Sequence, residues 1–170
     1  MKRQLLFASL LTLISVALNA QERAPLSQGS WLIEANTGTL ATGNTAFSLL
    51  STNGVTQWSI GGETGYFVKD NLALKVGLGY SDVSGIQSSG TLVYKFGAKY
   101  YINGNVPLGA DLTGITSDGS GVSWFGLQSG YAWFVGSNVS IEPTIRYNIS
   151  LDGFTADSNF QGLIGFVIHI

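Results

Sequence analysis

The sequence predicts an all-β fold, an eight-stranded antiparallel up-and-down transmembrane β-barrel with a polar, charge-paired lumen, preceded by a cleaved signal peptide. Three observations predict it. Between Ser30 and Ile170 a run of roughly ten residues, alternating apolar or aromatic with small or charged and closed by a turn, recurs about eight times. The chain opens with an export leader, and its aromatic residues sort by depth along the strands. The clearest strand is Leu72-Ala73-Leu74-Lys75-Val76-Gly77-Leu78-Gly79-Tyr80-Ser81, in which every even position is greasy and every odd one small, charged or polar. One face suits lipid and the other a crowded lumen.

Alternation alone would also fit a half-buried soluble strand, so the leader carries the choice of solvent. Lys2 and Arg3 precede an apolar run from Leu5 to Leu18, and Leu18-Asn19-Ala20 before Gln21 has the small residues of a cleavage site. We read residues 1–20 as a signal peptide, 21–28 as a short N-terminal periplasmic segment and 29–170 as the barrel domain. No Cys follows the cleavage site, which argues against a lipid anchor. No later run approaches the roughly 18 unbroken apolar residues that a spanning helix needs, so entry into a membrane is by strands.

The strands are expected, in order, near Gly29 to Asn36, Gln57 to Phe67, Leu72 to Ser81, Thr91 to Ile102, Leu108 to Ile115, Val122 to Phe134, Val139 to Ile149 and Asn159 to Ile170. Closing an even set antiparallel leaves both termini on the periplasmic side, with short turns there and longer loops outside. Val68 to Asn71, Asn103 to Pro107 and Val135 to Asn138 are brief and rich in turn residues. Thr37 to Thr56, Asp82 to Gly90 and Ser150 to Ser158 are longer, and Thr116 to Gly121 is short for an outer loop. Asn53-Gly54 has the composition of a two-residue hairpin turn between Ala46 to Ser51 and Val55 to Ile60, which lifts the first hairpin above the membrane. Pro143 falls inside the seventh strand, where it removes a ladder donor, so a bulge or a locally broken pair is expected.

Composition fits the same fold. The chain has 23 Gly, 12% aromatic and only 11% charged residues, and no Cys, so hydrogen bonding and packing must hold it without disulfides. Without Lys2 and Arg3 the balance is six basic against ten acidic residues, a net charge of −4, which argues against nucleic acid as a partner.

Following the alternation puts Trp31, Tyr66, Tyr100 and Trp133 near the periplasmic ends of outward rows and Trp58, Tyr80, Tyr94 and Tyr147 near the external ends. Between them lie Leu74, Val76, Phe96, Leu127, Ile145 and Ile164. Amphipathic rings at two heights around an apolar band are the girdles of a membrane barrel, whereas a lipocalin-like soluble barrel hides its greasy face inside. The inward rows carry Glu34, Glu63, Lys75, Lys95, Lys99, Asp111, Glu142 and Arg146, four acids and four bases. Neighbouring strands offer Glu63 to Lys75 and Lys99 to Asp111, while Glu142 and Arg146 share a face and Gln128 is within reach of Arg146. Buried charges require partners, so these side chains are expected to fill a lumen that eight strands leave just wide enough for them.

The segment Gly65-Tyr66-Phe67-Val68-Lys69-Asp70-Asn71-Leu72-Ala73-Leu74, with Gly29-Ser30-Trp31-Leu32 at the first strand and Phe166-Val167-Ile168-His169-Ile170 at the last, resembles the small outer-membrane β-barrels of the OmpA/OmpX-like class. The resemblance covers essentially the whole mature chain. It implies an integral protein of the bacterial outer membrane, in contact with lipid and lipopolysaccharide, inserted by the barrel-assembly machinery, which reads a last strand usually ending in an aromatic. Here that residue is Ile170. The peptidoglycan-binding domain of OmpA itself has no counterpart after the eighth strand, so the resemblance implies no cell-wall anchoring.

An enzyme is the less favoured reading. The single His, His169, lies at the periplasmic end on the inward row, away from the outer leaflet where lipid-modifying barrels place a His with Ser and an acid. No nucleophile elbow, His-Glu-x-x-His or Cys/His cluster is present, so no catalytic residue, cofactor or transition metal is expected. Asp82, Asp118, Asp152 and Asp157 belong to outer loops without Lys or Arg; they suit solvation better than Ca²⁺ or Mg²⁺, being scattered over three loops. The first loop, with Ala46, Phe47, Leu49 and Leu50, is the candidate for an extracellular ligand, through strand addition or adhesion. The expected role is structural or surface interaction, ahead of a narrow conduit for small solutes and then of a lipid-modifying enzyme.

Overall fold

A computed structural model describes residues 25–38, 45–84, 89–117, 120–153 and 155–170. The signal peptide expected over 1–20, and with it Lys2 and Arg3, lies outside the described residues, as does Asp118. The described chain forms ten β segments: β1 (Trp31–Asn36), β2 (Ser48–Thr52), β3 (Val55–Lys69), β4 (Leu72–Ser84), β5 (Ser89–Ile102), β6 (Val106–Ser117), β7 (Ser120–Gly130), β8 (Trp133–Phe134), β9 (Val139–Ser150) and β10 (Asn159–His169). All pair antiparallel in the order β1-β10-β9-β7-β6-β5-β4-β3-β2, β8 pairs with β9, and β1–β3 pairing closes the sheet. Eight staves result, because β2 prolongs the stave of β1 and β8 that of β7.

The period-two pattern is what makes these segments strands, and it sorts their side chains. Along β4 the odd positions Ala73 and Lys75 are buried, while Leu74, Val76, Leu78 and Tyr80 are exposed on the outer wall. Exposed apolar residues recur on every long stave, among them Phe96, Leu112, Leu127, Ile145 and Ile164. Such a wall calls for a non-aqueous cover, and an apolar band around every stave is the outer face of a membrane-barrel pattern.

Turn chemistry fixes the register. Asn53 and Gly54 both have positive φ, 50° and 79°, the combination of a type I′ hairpin turn between Thr52 and Val55. At the opposite end Asn103 and Gly104 repeat it with φ of 51° and 77°, and Asn71 turns β3 into β4 at 65°. Asn is the residue that tolerates this region after Gly. Val68 is an extra residue on β3, the register shifting between Phe67 and Lys69.

Two staves are interrupted. In the first, Glu34 is level with Glu63 but Ser48 with Ser59, so four rows of β3 correspond to fourteen residues of the chain. Asn36 and Thr37 stay beside β10, Thr37 N–H donating to Ile164 O at 3.1 Å, whereas Ser48–Thr52 lies beside β3. Phe47 and Leu49 thus fall level with Ile60 and Trp58. The first hairpin continues the first stave beyond β1, Ser48–Thr52 lying level with residues 55–59 at and beyond the height of Trp58 and Tyr80.

The seventh expected strand carries the second interruption on its neighbour. Pro143 N has no hydrogen, so although Tyr131 N–H donates to Pro143 O at 3.1 Å, the reciprocal bond cannot form. β7 ends at Gly130 and β8 begins at Trp133, with no change of register: Gly130 faces Thr144 and Trp133 faces Ile141. The pair is broken locally and there is no bulge. Pairing with β10 is unaffected, Ile164 facing Pro143.

Glycines on the inner face let neighbouring side chains cross the lumen. A Cβ on Gly97 would press on Ala110 O and Asp111, whereas one on outward-facing Gly62 would meet nothing within 4 Å. Gly97→Ala is expected to cost about 1–3 kcal/mol and Gly62→Ala to stay within about 0.5 kcal/mol, read as urea unfolding midpoints in lipid vesicles.

Candidate functional site

The lumen is filled in layers. At the end holding both termini, Leu32, Phe67, Ala73, Tyr101, Ala132 and Val167 form an apolar layer, with Leu26 and Phe134 packed against it. The chain ahead of β1 covers this layer: Gly29 N–H donates to Phe67 O (2.9 Å), Gln28 N–H to Asp70 Oδ1 (2.8 Å), and Leu26 O accepts from Asn71 N–H (2.8 Å). His169 is 1% exposed, with the rings of Phe67, Tyr101 and Phe134 at centroid distances of 6.3, 6.0 and 5.3 Å.

Above it, six charges alternate in an unbroken chain. Lys99 Nζ is 2.5 Å from Glu142 Oε2 and 3.0 Å from Glu34 Oε2; Lys75 Nζ is 2.5 Å from Glu34 Oε2 and 2.9 Å from Glu63 Oε2; Lys95 Nζ is 3.3 Å from Glu63 Oε1. Neutral donors complete the carboxylates. Asn36 Nδ2 donates to Glu34 at 2.8 Å and to Glu63 at 3.1 Å, Thr45 Oγ1 to Glu63 at 2.7 Å, and Tyr101 OH and Ser140 Oγ to Glu142 at 2.9 and 2.8 Å. Two cations flank each of the two central acids, which is the condition for holding charge away from water.

A second cluster sits beside this chain. Arg146 grips Asp111 with both terminal nitrogens, at 2.5 and 2.6 Å, and spends its remaining donors on Gln128 Oε1 (3.1 Å), Thr113 Oγ1 (3.0 Å) and Asn148 Oδ1 (2.5 Å). All five guanidinium N–H directions have an acceptor, the bidentate geometry only Arg supplies. Gly126 makes the room, since a Cβ there would collide with the guanidinium. Between the clusters remains a cavity of about 10 Å³ lined by Glu63, Lys75, Lys95, Asp111 and Gln128. That is scarcely space for one water.

At the outer end Val93, Ile115 and Trp124 form a second apolar layer, with Val122 and Ala156 against it. The chain between β9 and β10 lies over it: Asp152 Oδ2 accepts from Ser123 N–H (2.6 Å) and Ser123 Oγ (2.8 Å), and Trp124 Nε1 donates to Asp157 O (3.2 Å).

The spacing of the sequence brings Glu63 to Lys75 and Gln128 to Arg146, but not Lys99 to Asp111. Lys99 faces Gly109 and Asp111 faces Gly97, and each side chain reaches across the lumen to a stave further round, Lys99 to β1 and β9, Asp111 to β9. Cross-strand adjacency therefore misassigns a long side chain in a narrow barrel. Thr45, Asn36, Tyr101, Thr113 and Asn148 were not singled out by sequence, although all but Thr45 lie on inward rows that alternation identifies. Of the four acids assigned to outer loops, Asp82 lies in β4 and Asp152 is committed to Ser123. Among the described residues no group of three or more metal-ligating side chains occurs. His169 Nε2 is 3.2 Å from Ser140 Oγ, yet Glu142 bonds the serine, so the three do not form the relay in which an acid orients the histidine.

On the outer wall Trp31, Tyr66, Tyr100 and Trp133 are exposed near the end with the termini, Trp31 and Tyr66 with ring centroids 5.1 Å apart. Tyr80, Tyr94 and Tyr147 are exposed near the other end, where Trp58 is half-buried with its ring 5.5 Å from that of Tyr80.

No family model and no curated protein matches the chain. Among solved structures it is similar to the N-terminal β-barrel domain of OprF from Pseudomonas aeruginosa, with 14% identity over 84% of this chain and 98% of that one and a TM-score of 0.51. It is also similar to the outer membrane protein Ail of Yersinia pestis, with 11% identity, 84% and 100% coverage and a TM-score of 0.50. The chain has the fold of the small eight-stranded outer-membrane β-barrels.

Lys99→Met leaves Glu142 without a cation and Glu34 with one, so a loss of about 3–5 kcal/mol is expected in urea unfolding. Adding Glu142→Gln removes the stranded carboxylate and should restore a substantial part of it, a coupling a double-mutant cycle reads directly.

Proposed function

We propose that the protein is an integral barrel of the bacterial outer membrane that acts by recognising a partner at its outer surface, its lumen serving as a plugged, rigid core. The observation that carries this reading is the filling of the lumen: two apolar layers enclose a network in which every charge meets an opposite one, with about 10 Å³ free between its clusters. An ion crossing it would have to separate pairs in a medium where each separated charge costs several kcal/mol. The two rings of exposed aromatics support a membrane placement, with the band between them in hydrocarbon.

The surface best suited to recognition is β2. From Ala35 to Gly62 there is no charged residue, and Phe47, Leu49 and Leu50 are 71%, 64% and 60% exposed. β2 pairs only with β3, so among the described residues its other edge offers free backbone groups, without the lysine or proline that commonly protects such an edge. An extended segment of a partner fits there by strand addition.

Refolded residues 21–170 are expected to shift on a gel with heating and to give a silent planar-bilayer trace; steady ion-selective steps would transfer the function to transport. Leu50→Lys should leave both behaviours unchanged while abolishing attachment of expressing cells to the surfaces that the unmodified protein binds. Full retention of attachment would remove β2 from the interaction.

A further inference from the structure

Among the described residues the outer wall has a broad, open indentation over β7, β9 and β10. Across β7, β9 and β10 the register sets Leu127, Tyr147 and Phe160 level in one row and Trp133, Ile141 and Phe166 level in another. Between these rows lie Ser129, Ile145 and Gly162, then Tyr131, Pro143 and Ile164. Three positions that carry large side chains above and below thus carry Ser129, Gly162 and the compact ring of Pro143. The result is a groove of about 800 Å³, walled by Tyr131, Ile145 and Ile164 and bounded on the β1 side by Thr37. A Cβ on Gly162 would meet nothing within 4 Å, so the floor is vacant rather than filled from a neighbouring strand.

We propose that this groove is a binding site for one acyl chain of a membrane phospholipid. The inference rests on the membrane placement proposed above and is independent of recognition at β2. The groove is continuous with the apolar wall, with Ile145 and Ile164 exposed at 58% and 47%, so hydrocarbon is what covers it. It begins one row inside Trp133 and ends one row short of Tyr147, so it lies midway between the two aromatic rings and within reach of an acyl chain from either leaflet. Inside a bilayer apolar surfaces gain nothing from leaving water, and what distinguishes one site from the bulk is van der Waals fit. A chain seated in the groove contacts its floor and two walls, whereas one on a convex part of the barrel contacts a single surface.

The test is native mass spectrometry of the mature chain released from phosphatidylethanolamine vesicles, with heat-modifiable migration recorded in parallel. One retained phospholipid per barrel is expected, with at least a tenfold loss of retention in Gly162→Leu and in Ser129→Leu, both of which point outward and leave the barrel intact. Gly62→Leu, in a smaller indentation of about 420 Å³ across the barrel, should keep the lipid. Absence of retained lipid in the unmodified protein, equal retention in Gly162→Leu, or a protein dimer that Gly162→Leu abolishes, each overturns the proposal; the dimer would assign the groove to a second copy. A chain that never enters the vesicles, with no heat-modifiable form, overturns the membrane placement and this site with it.

Discussion

Eight charged side chains stand inside a wall that gives them almost no water, and every one of them meets an opposite charge. The alternating run from Glu142 through Lys99, Glu34, Lys75 and Glu63 to Lys95 joins β9, β5, β1, β4 and β3. A shift of any of these staves by one residue would turn its charges into the lipid. The network therefore does more than neutralise the lumen: it sets the relative height of staves far apart in sequence. Arg146 does the same for β6, β7 and β9 through Asp111, Thr113 and Gln128. Stability is a poor measure of such pairs, since an apolar core could match it; what the pairs add is a single permitted register.

The two ends obey a different constraint. A charged core open to water would exchange its partners for solvent, and the apolar layers at Leu32–Phe67–Tyr101 and at Val93–Ile115–Trp124 prevent this. Each is held by chain outside the eight staves, by residues 25–30 below and by the chain around Asp152 above. Those connecting segments are thereby structural parts of the lumen, and the recognition proposed above is left to the edge of β2.

How far the sequence discloses this fold follows from the range of the forces involved. Alternation and turn chemistry act within one strand or one hairpin, so the eight staves, the inward charges and the Asn53-Gly54 turn could all be read from local residues. The interruption at Pro143 was local too, although the side on which the ladder breaks depends on whether the missing hydrogen pointed to β7 or to β10, which no single strand records. The partner of Lys99 was not readable, because a side chain that crosses the lumen chooses among staves brought together only by closure. Leu26 as part of the lower layer escaped notice for the same reason: one apolar residue among polar neighbours carries no period. Nor does composition reveal that Thr37 and Ser48 lie on opposite sides of a divided stave.

Pro143 links the closure of the sheet to the shape of the wall. In a soluble sheet a proline is confined to an edge, where its missing hydrogen faces solvent. Between β7 and β9 the sheet is closed and has no edge, so the defect must be absorbed between two staves, here by Tyr131 and Ala132. Ala132 N–H turns to Asn105 O at 2.7 Å, which keeps the β6 side of the stave paired while the β9 side is broken. Because the register runs through unchanged, the charges at Glu142 and Arg146, on either side of the proline, keep their heights. The cost is confined to one ladder bond, and on the outer face the compact ring, beside Gly162 and Ser129, leaves the wall a broad indentation. A feature imposed by backbone chemistry is thus silent inside the barrel and visible only to what packs against its outer wall.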